Sequence, residues 1–134
     1  MDPVAIALIA ESAVALLSPY LKKTGSEIGA AANLATKKVG ELLSVIKNRF
    51  EKNPTARESL NALYRSPNDT ATKASFQAHL KELLSADEEF AKQLQKIIIE
   101  AVDSGADAVF HTNIYGNVKQ LIQFGHVNRD VIIK

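Results

Sequence analysis

Cysteine and tryptophan are absent from this 134-residue chain, histidine occurs three times, and the aromatics are limited to five Phe and three Tyr. Without cysteine there can be no disulfide, thiolate zinc site, iron–sulfur cluster or cysteine nucleophile. His79, His111 and His126 are too scattered to make a metal-binding pair one helical turn apart. No Gly-rich phosphate loop occurs, neither a Walker pattern nor G-x-G-x-x-G. Ser12 and Ser44 have no histidine nearby to activate them. Glu88-Glu89 and the Asp103/Asp107 pair read as a charged helix cap and a solvated turn rather than as an acid–base couple. Sixteen Lys/Arg against fifteen Asp/Glu leave a net charge of +1, too even for a dedicated nucleic-acid binder. Tyr20, Tyr64 and Tyr115 are dispersed and form no base-stacking platform. The expectation is a protein that is not an enzyme and uses no cofactor, metal or nucleic acid.

What the chain does have is a long apolar start. Val4 to Tyr20 carry a single charge, Glu11. No Lys or Arg precedes Lys22, so the basic beginning of a secretory signal is missing. A spanning helix needs about 20 predominantly apolar residues, and Glu11, Ser12, Ser18 and Pro19 interrupt this one. The expected resting state is a helix buried in a cytoplasmic bundle. Its apolarity on all sides keeps a second state open, in which Val4, Ile6, Leu8, Ile9, Val14, Leu16 and Leu17 enter a bilayer on activation.

Residues 1–105 read as helical throughout. Asp2-Pro3 is a start signal, and Ser18-Pro19 repeats it, predicting a turn or kink. Beyond it, Ile28, Ala32, Ala35, Val39, Leu42, Ile46 and Phe50 are spaced by fours and threes, the seam of a packed helix. A continuous helix over 19–52 would be a rod of roughly 50 Å. Gly25, Gly29 and Gly40 inside it point to close approach of a neighbouring helix, or to small-residue packing in lipid. The rod holds seven Lys/Arg against three Glu; spread along its length, they read as a solvated face. Asn53-Pro54 opens a helix carrying Ala56, Leu60 and Leu63, and Asp69 caps one bearing Phe76, Leu80, Leu83 and Leu84. Ser85-Ala86-Asp87-Glu88 has the form of a capping box before Phe90, Leu94, Ile97, Ile98, Ala101 and Val102. Ser104-Gly105 stops that helix. The fold expected is mainly α: an antiparallel bundle of four to five helices.

The composition changes after Gly105. Residues 106–134 hold five charged side chains among Val, Ile, Phe, Asn, Gln and Gly. Val118, Gln120, Ile122 and Phe124 alternate with Lys119, Leu121 and Gln123, which is strand periodicity. Tyr115-Gly116-Asn117-Val118 recurs nine residues on as Phe124-Gly125-His126-Val127, and in the same register Ile122 meets Val131. Repeated strand-turn units can stack on one another and on other chains, aligning Asn and Gln into ladders and Phe, Val and Ile into a dry seam. Residues 106–134 are therefore expected to be a short β-forming, amyloid-like tail behind a helical domain of residues 1–105.

Within that tail, Ile122-Gln123-Phe124-Gly125 followed by Asn128 resembles the core of the RIP homotypic interaction motif and its bacterial amyloid-signalling counterparts. The resemblance implies that Ile122 and Phe124 fill the dry seam and that Gln123 and Asn128 form ladders along the stack. Gly125 allows the turn. Phe124 is bulkier than the usual aliphatic residue. The Met1-Asp2-Pro3 start and apolar first helix resemble fungal HeLo-type and bacterial Bell-type domains, and the helical part also resembles modules attached to bacterial signal-transduction NTPases. That likeness implies a small effector of regulated cell death and bacterial immunity. Its partners would be itself, a sensor NTPase with a matching motif and, on activation, a membrane. The alternative is a non-lytic adaptor whose tail builds a defined β-sheet oligomer.

Overall fold

The Asp2 carboxylate accepts the Val4 amide at 2.7 Å, and Pro3 follows where a helix does not need an amide donor. Helix α1 (Pro3–Lys23) starts there. The computed structural model describes residues 2–23, 34–110 and 112–122. After α1 come α2 (Leu34–Phe50), α3 (Pro54–Arg65), α4 (Thr70–Ala86), α5 (Glu88–Asp103) and α6 (Ala106–Phe110). A further helical stretch, residues 115–122, is termed α7. The described residues include no strand.

Short polar signals set the breaks. Asn53 accepts from the amides of Thr55 (3.1 Å) and Ala56 (3.2 Å), with Pro54 in the first turn of α3. Asp69 accepts from the amide and hydroxyl of Thr72, at 2.9 and 2.8 Å, and these bonds hold its carboxyl below the ordinary carboxylate range. Gly105, at φ 96°, occupies the left-handed backbone region that ends α5.

Three local expectations need correction. The cap of α5 is Asp87, which accepts the Phe90 amide at 3.2 Å; Ser85 stays inside α4, its hydroxyl donating to the Lys81 carbonyl. Asp87 has extended backbone (φ −141°, ψ 100°) between the two helices, so the capping position falls on it. Ser18-Pro19 does not interrupt α1, which runs through both to Lys23. Proline there deprives the Ala15 carbonyl of its donor. Packing on both sides offsets this loss, since Leu16 and Leu17 are fully buried and Tyr20 and Leu21 lie against the same core. Finally, 19–52 is not one rod. A continuous helix would hold Tyr20 and Gly40 about 30 Å apart, yet a Cβ added to Gly40 would lie 3.1 Å from the Tyr20 hydroxyl. Helices α1 and α2 lie side by side, and Gly40 is where they come closest to this ring. Gly25, Gly29, Ile28 and Ala32 lie outside the described residues.

Helix α1 packs against α2, α4, α5 and α6. Ile9, Ala10, Ala13, Leu16 and Leu17 are wholly buried, which accounts for a helix apolar all round. The seam foreseen on α2 is buried as spaced: Ala35, Val39, Leu42, Ile46 and Phe50. Phe50 meets the Phe76 ring of α4 at 5.3 Å between centroids. On α5, Leu94, Ile98 and Ala101 face inward, opposite α2 and α1. Two polar ties cross from α2 to the start and end of α5. Arg49 pairs with Asp87 and lies 4.9 Å above the Phe90 ring, while Lys38 donates to Glu100 at 2.9 Å.

Among the described residues, one buried hydroxyl has no partner. Ser12 lies in the middle of α1 at 0% exposure, and its Oγ makes no hydrogen bond. An unpaired polar atom in a core costs about 1–3 kcal/mol. Ser12→Ala is accordingly expected to raise stability by about 1 kcal/mol, read from the denaturation midpoint. A second expectation concerns the Lys38–Glu100 tie. Its hydrogen bond lowers the Glu100 carboxyl below 4.5 and raises the Lys38 ammonium above 10.5. The stabilisation is therefore full between those two values. It fades as pH falls through the lowered Glu100 value or rises through the raised Lys38 value. Melting curves of Lys38→Met should differ from the parent most near neutrality and converge at both extremes.

Candidate functional site

The residues singled out in the tail fall into two groups. Gln123, Phe124, Gly125, Val127, Asn128 and Val131 lie outside the described residues, as does His126. Tyr115, Gly116, Asn117, Val118 and Ile122 lie in α7.

The route into α7 is built by one aspartate. Asp107 accepts from the Thr112 hydroxyl at 2.5 Å and the Ile114 amide at 3.1 Å, and its own carbonyl accepts the Thr112 amide at 3.0 Å. This turn aims α7 back along the bundle. Ile114, Val118 and Leu121 are then buried at 4%, 1% and 0% exposure. The Gln95 side-chain amide of α5 donates to the Leu121 carbonyl at 3.2 Å, serving one acceptor near the helix end. The outer face carries Tyr115 and Ile122, at 62% and 41% exposure. Asn117 is half-buried and Gly116 is open, with nothing within 4 Å of an added Cβ.

The strand expected through Val118 and Ile122 is corrected here: 106–110 and 115–122 are helical, and one hydrophobic core runs past residue 105 as far as Leu121. The signal was present in the spacing of Ala106, Phe110, Ile114, Val118 and Leu121, steps of four, four, four and three. It was masked by a shorter alternation in which Val118 and Ile122 share one face, a run too brief for period alone to decide. What decides is the bundle, whose common core buries Ile114, Val118 and Leu121 and whose helix α5 supplies the Gln95 amide.

Of the residues considered for membrane entry, Ile6, Ile9, Val14, Leu16 and Leu17 are buried, Leu8 is partly buried against the core, and Val4 is exposed. Pro3–Lys22 has a mean hydropathy of 1.9 and enough length to cross a bilayer, with 56% of that stretch buried in the bundle. A core helix of a soluble protein meets the same criteria.

A groove lies between α1 and α4. Glu11, Val14, Ala15, Ser18 and Pro19 form one wall, Thr70, Lys73, Ala74 and Gln77 the other, and Phe110 with Thr112 closes an end, around a volume of about 530 Å³. Val14, Ala15, Pro19, Ala74 and Phe110 supply its apolar lining. Glu11 and Lys73 place opposite charges on opposite walls. At the α1 end, the Ser18 hydroxyl donates to the Pro67 carbonyl at 2.5 Å, tying α1 to the α3–α4 turn.

The fold and site together define a helical bundle with an amphipathic C-terminal helix. Comparisons with protein-family models, curated proteins and solved structures give no match to this chain. Helical and strand registers of α7 predict different consequences for adjacent residues. Leu121→Ala should cost about 2–5 kcal/mol by emptying a core position, whereas Ile122→Ala should stay within about 0.5 kcal/mol. Chemical denaturation of the two variants checks this.

Proposed function

We propose that this chain is a small, non-catalytic signalling effector that rests in the cytoplasm. On this reading its C-terminal segment assembles by templated β-stacking and gathers the helical bundles of many copies. The observation that carries the reading is the nine-residue repeat of Tyr115-Gly116-Asn117-Val118 in Phe124-Gly125-His126-Val127, joined to the Ile122-Gln123-Phe124-Gly125 tetrad and Asn128. Stacked copies would pair each of these residues with its equivalent above and below. Gly116 supports the same reading. Glycine weakens a helix relative to alanine, and no neighbour in the bundle requires its missing side chain. A bend between stacked strands gives that glycine a purpose.

The position of α7 imposes a condition on assembly. The second copy of the repeat follows Ile122, but the first copy includes Val118, which is buried in the bundle. The first copy can stack only after α7 leaves the bundle core. That step exposes Ile114, Val118 and Leu121, whose burial is worth about 1.5–3 kcal/mol each. A partner bearing a matching motif, such as a sensor NTPase, would template residues 113–133 and supply the compensating stack. Crowded bundles that release α1 would then act on a membrane.

A non-lytic adaptor is the second reading, and the position of α1 favours it. Helix α1 touches four other helices, so its release dismantles the core rather than freeing a peripheral segment. A peptide of residues 106–134 is expected to form thioflavin-positive fibres that seed the full-length protein. Replacing Gln123 with Lys and Gly125 with Glu should abolish association. A discrete oligomer by light scattering with no seeding identifies the adaptor. Dye release from liposomes on seeding identifies the lytic effector.

A further inference from the structure

The groove between α1 and α4 has apolar lining from Val14, Ala15, Ala74 and Phe110, a carboxylate on one wall and an ammonium on the other. Pro19 adds an unusual element. Because proline has no amide hydrogen, Pro19 leaves the Ala15 carbonyl without its i+4 helical donor. An occupant matching these features is an extended peptide with a cation, an anion and several apolar side chains in close succession.

The chain itself contains such a segment beyond the described residues: Arg129-Asp130-Val131-Ile132-Ile133. We propose that this C-terminal segment docks in cis in the α1–α4 groove. Arg129 meets Glu11, Asp130 meets Lys73, and Val131 to Ile133 lie on Val14, Ala15, Ala74 and Phe110.

Reach permits the docking. Thr112 lines the groove, and Ile122 is separated from it by a three-residue link and one short helix, at most about 21 Å. Ten extended residues from Ile122 to Ile132 span up to about 33 Å. A docked tail hides the apolar end of the segment from other chains while α7 holds the first copy of the repeat. This inference goes beyond the stacking reading and does not depend on it, since docking is measured in the monomer.

The absence of native cysteine makes a direct test simple. Full-length protein carrying Ala74→Cys and Ile132→Cys is equilibrated in a glutathione buffer, and the intrachain disulfide is measured in the monomer fraction. The control pair is Ser85→Cys with Ile132→Cys, about 16 Å further along α4. The groove pair should be trapped at least tenfold more readily than the control. Glu11→Lys with Lys73→Glu should reduce trapping to the control level, and adding Arg129→Glu with Asp130→Arg should restore it. Equal trapping at both positions overturns the proposal. A loss that the tail reversal does not repair also overturns it, as does a disulfide formed only between two chains. Fibre seeding by the 106–134 peptide, measured separately, reports on the stacking reading alone.

Discussion

The structure depends on covering α1. A helix that is apolar on most of its sides is costly to leave on a surface, because each uncovered apolar side leaves Ala, Val, Ile or Leu in water. Helices α2, α4, α5 and α6 each take part of that circumference. The surrounding helices are correspondingly one-sided, each presenting a stripe to α1 or to its neighbours and charges outward. The polar ties follow from this arrangement rather than causing it. Ser18 is fastened to the α3–α4 turn, while Lys38 and Arg49 bracket α5. Exposed pairs of this kind add little to stability. They set the position of α5 against α2 after burial has chosen the partners.

The same constraint bears on function. A helix that is both bilayer-compatible and central to the fold cannot leave without dismantling the core. Any membrane role for α1 therefore has to be coupled to a large compensating event elsewhere, and stacking of the tail is the event that the sequence offers. Helix α7 lies between these two parts of the molecule. Its inner face belongs to the bundle, while its residues also begin the repeated motif. On the proposed reading one segment would have two uses that exclude each other, burial in the bundle or alignment with other chains.

Most of the bundle was legible because its signals are local. Asp2, Asn53 and Asp69 cap where a short acceptor precedes a helical pattern, and Ala35, Val39, Leu42, Ile46 and Phe50 are buried at the spacing that announced them. Pro19 misled because proline usually ends a helix, but the packing of Leu16, Leu17 and Tyr20 outweighs one missing hydrogen bond. The candidate site was less legible. Its composition, repeat and glycines could be read, but the state of Val118 could not, since that residue satisfies a strand pattern with Ile122 and a helical one with Ile114 and Leu121. The α1–α4 groove was not legible at all, because Glu11 and Lys73 are far apart in the chain and only packing brings their helices together.

The sequence by itself determined a mainly helical protein, its chief breakpoints and the residues of its core, because caps and periodic apolar positions act over a few residues. It also determined the repeated C-terminal motif, which is a property of order along the chain. Tertiary structure decided which period the tail follows through residue 122, that Tyr20 and Gly40 meet, and that an apolar first helix packs against four others. Each of those outcomes depends on which surface a segment finds opposite it, and that surface is supplied by residues distant in the chain.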